Sequence, residues 1–278
     1  MAGRALVVGG GGVTGVAWEL GMLAGLAEAG VDLSTADLVV GTSAGSVVGA
    51  QFASGILVEE LYARQLAAAG AEIAARMSTG AVLRWVWTAL SSRDPQRARA
   101  RIGRMALAAK TMPEAERRAV IASRLPGPDW PERRLLIAAV DAESGEFRAF
   151  DRESGVSLVD AVGASCAVPG VWPPVTIDGR RWIDGGARSS ANADLAAGCE
   201  RIVVLAPLTV GFGPMPSVAA QVRELRKHAR VAVVSPDRAA KQAIGRNVLD
   251  PARRAPSARA GRAQAAAAAP AVAEVWST

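Results

Sequence analysis

The pentapeptide Gly41-Thr42-Ser43-Ala44-Gly45 sets a serine among small residues, straight after an apolar run and straight before a small-residue helix. A G-x-S-x-G turn of this kind presents a hydroxyl for attack on a carbonyl carbon. The strand stops, the chain turns tightly, the helix departs, and only small neighbours fit. The blander role for Ser43 is to cap the helix that follows it. Acyl transfer also needs a proton acceptor. The usual acceptor is histidine, and the chain has one, His228. It follows Arg226-Lys227 at the basic end of a helical stretch, where a histidine ordinarily partners the helix dipole. The chain order Ser43, Asp184, His228 nevertheless suits a Ser–Asp–His esterase, which stands as an alternative.

A second glycine turn lies upstream. Gly10-Gly11-Gly12-Val13-Thr14-Gly15 fits G-x-G-x-x-G after a strand and at a helix start, the context of a dinucleotide site. Such a site wants an acid at the tip of the second strand, to hold a ribose. Here that tip is Val40-Gly41-Thr42, and the nearest acid, Asp37, lies at the strand's beginning. The dinucleotide reading fails on that point, and no cofactor is expected. Two glycine turns at neighbouring strand ends of one sheet suit acyl transfer better. The first offers successive backbone N–H groups to an oxyanion and the second offers the nucleophile.

These residues give the chain its resemblance to the patatin-like phospholipase family. It rests on GGGGVTG near the N-terminus, GTSAG some thirty residues later, ASCAVPGVWPP from Ala164 to Pro174, and DGG at Asp184 to Gly186, in the family's order. The resemblance implies a patatin-like α/β fold and hydrolysis of lipid acyl esters by a Ser–Asp dyad without histidine. It assigns Ser43 as nucleophile, Asp184 as base, and Gly10, Gly11 and Gly12 as the oxyanion hole. Gly15, Gly41, Gly45, Gly185 and Gly186 support the turns. A non-catalytic lipid-binding member of the fold is the third reading.

The residues themselves agree on the carboxylate. Asp178 and Asp184 both precede glycine. Asp178-Gly179 sits between two short apolar strands and suits a type I′ hairpin turn, so its role is local. Asp184 follows the returning strand, and Gly185-Gly186 allow a close backbone approach. A carboxylate is a weak base at its ordinary pKa of about 4, so the dyad needs a partly dry site. Two departures from the family pattern stand out. Thr14 occupies the position of a usual Arg or Lys, and Asn192 is followed by Ala193 where proline is common. The first bears on phospholipid preference. The second reads as a helix-start variation.

The elements that must position these groups read as an α/β chain. Short apolar strands over Arg4–Val8 and Asp37–Val40 alternate with helices over Val13–Ala29 and from Gly45 to about Ala53. That order implies a mostly parallel sheet covered on both faces, a three-layer α/β/α sandwich. Ile56 to Val120 is Ala/Arg-rich and reads as helices, with Trp85 and Trp87 in a core position. Strands follow over Leu135–Val140 and Glu146–Phe150, then a helix from Ser157 to Ala164 and the hairpin Val175–Ile183. Arg201–Leu205, Val218–Lys227 and Val231–Val234 read as strand, helix and strand. Residues 1–250 form the acyl hydrolase domain. Residues 251–278 read as an Ala/Arg/Pro-rich tail, partly disordered, with at most one short helix.

The chain's 278 residues carry 32 Lys and Arg against 26 Asp and Glu, a net charge of +6. An anionic membrane surface is a natural partner for that balance, and compositional bias is the plainer account. Aromatics at 4% are too few for a nucleic-acid stacking platform. No apolar stretch approaches the roughly 18 residues of a membrane span, and the N-terminus does not read as a signal peptide, so a cytoplasmic protein is expected. Cys166 and Cys199 lack metal-ligand spacing and read as buried thiols, and no metal site is expected. The sequence leaves oligomeric state open.

Overall fold

The computed structural model describes residues 3–67, 88, 92–211 and 213–277. Trp85 and Trp87 lie outside the described residues. Eight strands form one sheet: β1 (Arg4–Val8), β2 (Leu38–Gly41), β3 (Arg134–Asp141), β4 (Phe147–Phe150), β5 (Val175–Ile177), β6 (Arg180–Asp184), β7 (Arg201–Leu205) and β8 (Arg230–Val234). The order along the sheet is β5-β6-β3-β2-β1-β7-β8, with β4 also paired to β3. The central strands β3, β2, β1, β7 and β8 are parallel neighbours. The antiparallel strands β4, β5 and β6 all come off the far end.

Alternation along the strands builds two cores. Leu6, Val8, Val39, Ile137, Val203 and Leu205 face one layer, and Ala5, Val7, Val40, Leu136, Ile202 and Val204 face the other. Period-2 apolar strands with both faces buried are what a parallel sheet between helical layers requires. The first layer holds α1 (Gly12–Glu28), α2 (Ala44–Ala53), α6 (Leu158–Ser165) and α9 (Arg254–Trp276). The second holds α7 (Val218–Leu225) and α4 (Pro95–Leu107). Helices α3 (Val58–Leu66), α5 (Glu114–Ala122) and α8 (Arg238–Ile244) complete the described set. The α/β/α sandwich expected from the strand–helix order is the observed fold.

Two differences from the sequence reading have clear causes. Helix α8 follows the last strand, where no helix was expected. More consequential, residues 254–276 are not a disordered tail but the 23-residue helix α9. Its buried face runs Ala258, Gly261, Ala265, Ala269, Val272 and Trp276, at steps of three and four. The face is small-residued because α9 lies directly on α1. A Cβ on Gly21 would stand 2.0 Å from the Ala258 carbonyl oxygen, and one on Gly261 would stand 2.2 Å from that of Trp18. The Trp276 indole donates to the Asp32 carbonyl at 2.8 Å, and Arg262 pairs with Glu28 at 3.0 Å and Glu59 at 2.7 Å. Compositional bias hid an interface written in alanine and glycine.

Helix α1 is therefore enclosed by the sheet and by α9, α2 and α3 around it. That explains its nearly all-round burial and its lack of a polar stripe. Glu19 is caught inside, and burial holds its carboxyl well above the ordinary carboxylate range.

Candidate active site

The sheet itself brings Ser43 and Asp184 together. Strand β2 pairs with the first half of β3 and stops at Gly41, opposite Ile137. Strand β6 runs the other way and stops at Asp184, opposite Ala139. Ile137, Ala139 and Val140 also pair with β4, so β4 takes one edge of β3 and leaves β2 and β6 sharing the other. The two strands meet end to end there, two residues apart on β3. The turn after β2 carries the serine, and the last residue of β6 is the carboxylate.

Ser43 has φ 53° and ψ −120°, one of three non-glycine residues with positive φ among those described. Such a conformation is strained for an L-residue and persists only where surroundings impose it. Here they do. The Ser43 N–H donates to the Ser165 hydroxyl at 2.9 Å, and its carbonyl accepts from the Ser46 hydroxyl at 2.7 Å and the Cys166 thiol at 3.2 Å. Gly45 is required because α2 passes the end of β1 so closely that a Cβ would stand 2.0 Å from the Val8 carbonyl oxygen. The Ser43 side chain does not cap α2. It faces the Asp184 carboxylate instead, an interaction that works to lower that carboxyl's pKa.

Asp184 is 4% exposed. Its N–H donates to the Ala167 carbonyl at 3.1 Å, and its carboxylate accepts from the Gly186 N–H at 2.7 Å. Burial pushes its pKa up to about 7, against the lowering effect of the bonds from Ser43 and Gly186. Desolvation disfavours the charged form, and the Gly186 N–H with the nearby Ser43 side chain only partly offsets it. Gly185 permits the approach to β3, since a Cβ there would stand 2.4 Å from the Ala138 carbonyl oxygen.

The glycine turn divides its N–H groups unequally. Gly10 lies beside Ser43, and its N–H donates to the Ser190 carbonyl at 2.7 Å. The following residues, Gly11 and Gly12, have N–H groups with no partner among the described hydrogen bonds. Gly12 has φ 61° and opens α1, so these amides lie at the positive end of its dipole. Gly15 donates back to the Gly11 carbonyl at 2.8 Å. Thr14, the departure from the family's basic residue, donates its hydroxyl to the Val248 carbonyl at 3.2 Å, with its N–H on the same oxygen at 3.1 Å. It ties the glycine turn to the 245–250 loop.

Asn192 is the residue whose weight the sequence reading missed. Its side-chain amide donates to the Thr42 hydroxyl at 3.1 Å, the Gly185 carbonyl at 3.2 Å and the Ser189 carbonyl at 2.9 Å. One buried amide thus straps the serine turn to the aspartate turn. Asn192 also has φ 48°, a left-handed conformation asparagine tolerates better than most residues. Ala193 opens a short 3-10 helix with Asn192 before it, the helix-start variation expected.

These groups line a cavity of about 310 Å³ whose wall includes Gly10, Gly11, Gly12, Ser43 and Asp184, with Met215 and the exposed Leu208 and Val210 beyond. His228 lines a different cavity, with Arg188 and Asp194, to which neither Ser43 nor Asp184 contributes. The structure does not assemble the Ser–Asp–His alternative. Asp178 (φ 49°) and Gly179 (φ 74°) form the expected two-residue hairpin turn. Cys166 is buried, whereas Cys199 is only half-buried.

Among solved structures, VipD from Legionella pneumophila is similar at a TM-score of 0.48 and 12% identity, over 97% of this chain and 67% of that one. The type III effector protein ExoU is similar at 0.41 and 16%, over 96% of this chain and 52% of that one. The chain thus spans about half of the ExoU structure. No curated protein matches the chain significantly. A family model described as patatin-like phospholipase matches residues 6–197. That span takes in well over half of the chain and both turns of the site, and the chain belongs to this family.

Proposed function

We propose that the protein is a serine acyl-ester hydrolase acting on lipids, with Ser43 as nucleophile and Asp184 as its general base. The observation that carries this reading is a serine hydroxyl that shares the wall of a largely apolar cavity with a buried carboxylate whose pKa is pushed up to about 7. A base is most useful when its pKa lies near the working pH. Burial supplies that shift without a histidine.

The chemistry follows from the groups in hand. The Ser43 oxygen attacks the ester carbonyl carbon while Asp184 takes its proton. The carbonyl oxygen becomes an oxyanion and accepts from the Gly11 and Gly12 N–H groups, whose preorganisation avoids reorienting solvent as charge develops. The tetrahedral species collapses, the C–O bond to the alcohol breaks, and Asp184 returns the proton to the departing oxygen. Water then attacks the acyl-serine carbonyl carbon and gives a proton to Asp184; the bond to the Ser43 oxygen breaks, Asp184 returns the proton to that oxygen, and the fatty acid leaves. The strained turn holds the hydroxyl against the carboxylate throughout.

The test is covalent labelling with a fluorophosphonate, paired with hydrolysis of a mixed lipid panel. Label on Ser43, absent from Ser43→Ala together with turnover, is the expected result. Turnover that persists in Ser43→Ala overturns the assignment.

A further inference from the structure

The two ends of the Asn192 amide are nearly alike in shape and opposite in hydrogen bonding. Its Nδ2 serves the Thr42 hydroxyl, the Gly185 carbonyl and the Ser189 carbonyl. Thr42 immediately precedes the serine, and Gly185 immediately follows the aspartate. The Thr42 hydroxyl donates its own proton to the Ala191 carbonyl at 3.2 Å, so it meets Asn192 as an acceptor. At the other end of the amide, Oδ1 accepts from the Arg188 Nη1 at 2.7 Å. A flipped amide would set Oδ1 against two carbonyls and Nδ2 against a guanidinium, like facing like.

We propose that Arg188 is a positioning residue for the dyad, acting through Asn192: it locks the amide in the orientation that grips both turns. This rests on the reading of Ser43 as nucleophile and Asp184 as base. Sheet register brings the ends of β2 and β6 together on β3. Ser43 lies beyond the end of β2, where cross-links such as this one take over.

Arg188 is itself held from several sides. Its Nη1 and Nη2 meet the two Asp194 carboxylate oxygens at 3.0 and 2.5 Å, a bidentate pair. Its guanidinium lies over the Phe147 ring, 4.2 Å from the centroid. Gln221 of α7 steadies Asp194 in turn: its side-chain nitrogen donates to Asp194, and its oxygen accepts from the Ser189 hydroxyl at 2.8 Å. The Ser189 oxygen then accepts from the Asn192 N–H at 3.2 Å. The chain of contacts thus closes on Asn192 through both its side chain and its backbone, and Asn192, Ser189 and Gln221 are all buried. A lysine would not serve as well. Nη1 carries two protons and gives one to Asp194 and one to Asn192, while Nη2 completes the flat pair with Asp194, a fork that an ammonium lacks. Arg188 also lines the cavity of about 560 Å³ that holds His228, so its place can be reached from solvent.

The experiment replaces Arg188 and follows p-nitrophenyl ester hydrolysis. Arg188→Ala should lower kcat about tenfold or more and leave KM within about twofold, because the dyad is misplaced while the substrate cavity keeps its walls. Arg188→Lys keeps the charge beside Asp194 and guards against a mere loss of folding; it should show the same split in smaller measure. In Asn192→Ala, adding Arg188→Ala should cost no further kcat, since the group it acts through is gone. Native kcat in both Arg188 variants overturns the proposal, and so does a loss that adds in full to that of Asn192→Ala. Guanidinium at millimolar concentration should restore part of the kcat of Arg188→Ala by entering the vacated place, and urea, of similar shape without the charge, should not. An equal response to the two solutes overturns the proposal. Hydrogen exchange on the Ser43→Ala protein keeps the two readings apart. Adding Arg188→Ala there should speed exchange at the amide of position 43 and at that of Gly186, one in each turn. Unchanged exchange at both overturns the positioning role even where no ester is turned over. Failure of the acyl hydrolase reading shows separately, as no ester hydrolysis by the native protein.

Discussion

Gly41 and Asp184 end two strands that approach each other along one edge of β3, paired to Ile137 and Ala139. The distance between nucleophile and base is therefore set by sheet register, which is stiff, rather than by loop conformation. A one-residue slip of β6 would turn Asp184 to the opposite face. The register leaves room for substitutions at the two residues that change chemistry without changing the frame.

Ser43→Ala is the first of these. Alanine keeps the Cβ, and the hydrogen bonds that hold this residue use its N–H and carbonyl rather than its hydroxyl. Hydrolysis of short-chain p-nitrophenyl esters should fall to background while the melting temperature changes little. Near-normal turnover in this variant would favour a lipid-binding member of the fold whose serine is not used.

The pH dependence follows from Asp184. The base works as the carboxylate, so kcat/KM should rise with pH and level off above about 7, the folded pKa. The stability effect has the opposite sign. An unfolded aspartate titrates near ~4, so the folded state binds this proton more tightly between ~4 and about 7. The contribution to stability is complete below that window and is lost as pH rises through it. A rate profile that levels off near pH 5 would mean that the base is an ordinary solvated carboxylate.

Asp184→Asn should separate activity from stability. Asparagine accepts the Gly186 N–H as the carboxylate does, but it takes no proton. The loss of a general base costs ~10²–10⁴-fold in rate. The variant carries no buried charge, so its melting temperature should exceed the native value by a margin that widens from pH 5 to pH 8. Asp178→Asn should be nearly silent in both assays, because Asn-Gly serves a type I′ turn as well as Asp-Gly. Asn192→Ala should reduce kcat more than KM, since it loosens the strap between the turns rather than the cavity.

Ser43 and Asp184 were legible in the sequence because each demands small neighbours, and glycine at a turn is written plainly. The sheet was legible for a related reason: five-residue apolar runs have few other uses in a chain of this length. The fate of the Gly10 N–H was not. It depends on the carbonyl of Ser190, 180 residues away, and a carbonyl leaves no mark on residue type. Helix α9 was missed because its contact face is alanine and glycine, the residues that a biased composition supplies anyway. Arg254 was lost with it.

Gly261→Ala tests that helix directly. In an isolated helix or a loose tail the change gains ~1 kcal/mol in helix propensity. In the observed packing the new Cβ would stand 2.2 Å from the Trp18 carbonyl oxygen, and both partners are backbone. Relieving such overpacking costs ~1–3 kcal/mol, so the clash outweighs the propensity and the variant should be less stable than the native chain. A raised melting temperature would mean that α9 does not dock on α1.

Binding to anionic vesicles should be weak and salt-sensitive, and the structure narrows where it comes from. Of the two arginine-rich stretches, 253–262 is half committed: Arg254 is buried against Gln65 and Arg262 holds Glu28 and Glu59, while Arg253 and Arg259 are exposed. On α4, Arg99 is turned to the Gly145 carbonyl, and Arg97, Arg101 and Arg104 are exposed at helical spacing, Arg97 within 3.8 Å of the Asp94 carboxylate at the helix start. The same helix packs through Ile102 in a cluster with Met215, a residue of the cavity wall. Each basic side chain near an anionic surface contributes on the order of 1 kcal/mol, decaying over a Debye length of about 8–10 Å. Three arginines then suffice at low salt and fail at high salt, while the exposed Leu208 and Val210 add apolar contact at the cavity. Co-sedimentation at two ionic strengths should show partitioning to anionic vesicles that salt abolishes. The triple change Arg97→Glu, Arg101→Glu and Arg104→Glu should abolish it at low salt as well. Equal partitioning of the native protein to neutral vesicles would assign the contact to Leu208 and Val210 and leave the charge as composition alone.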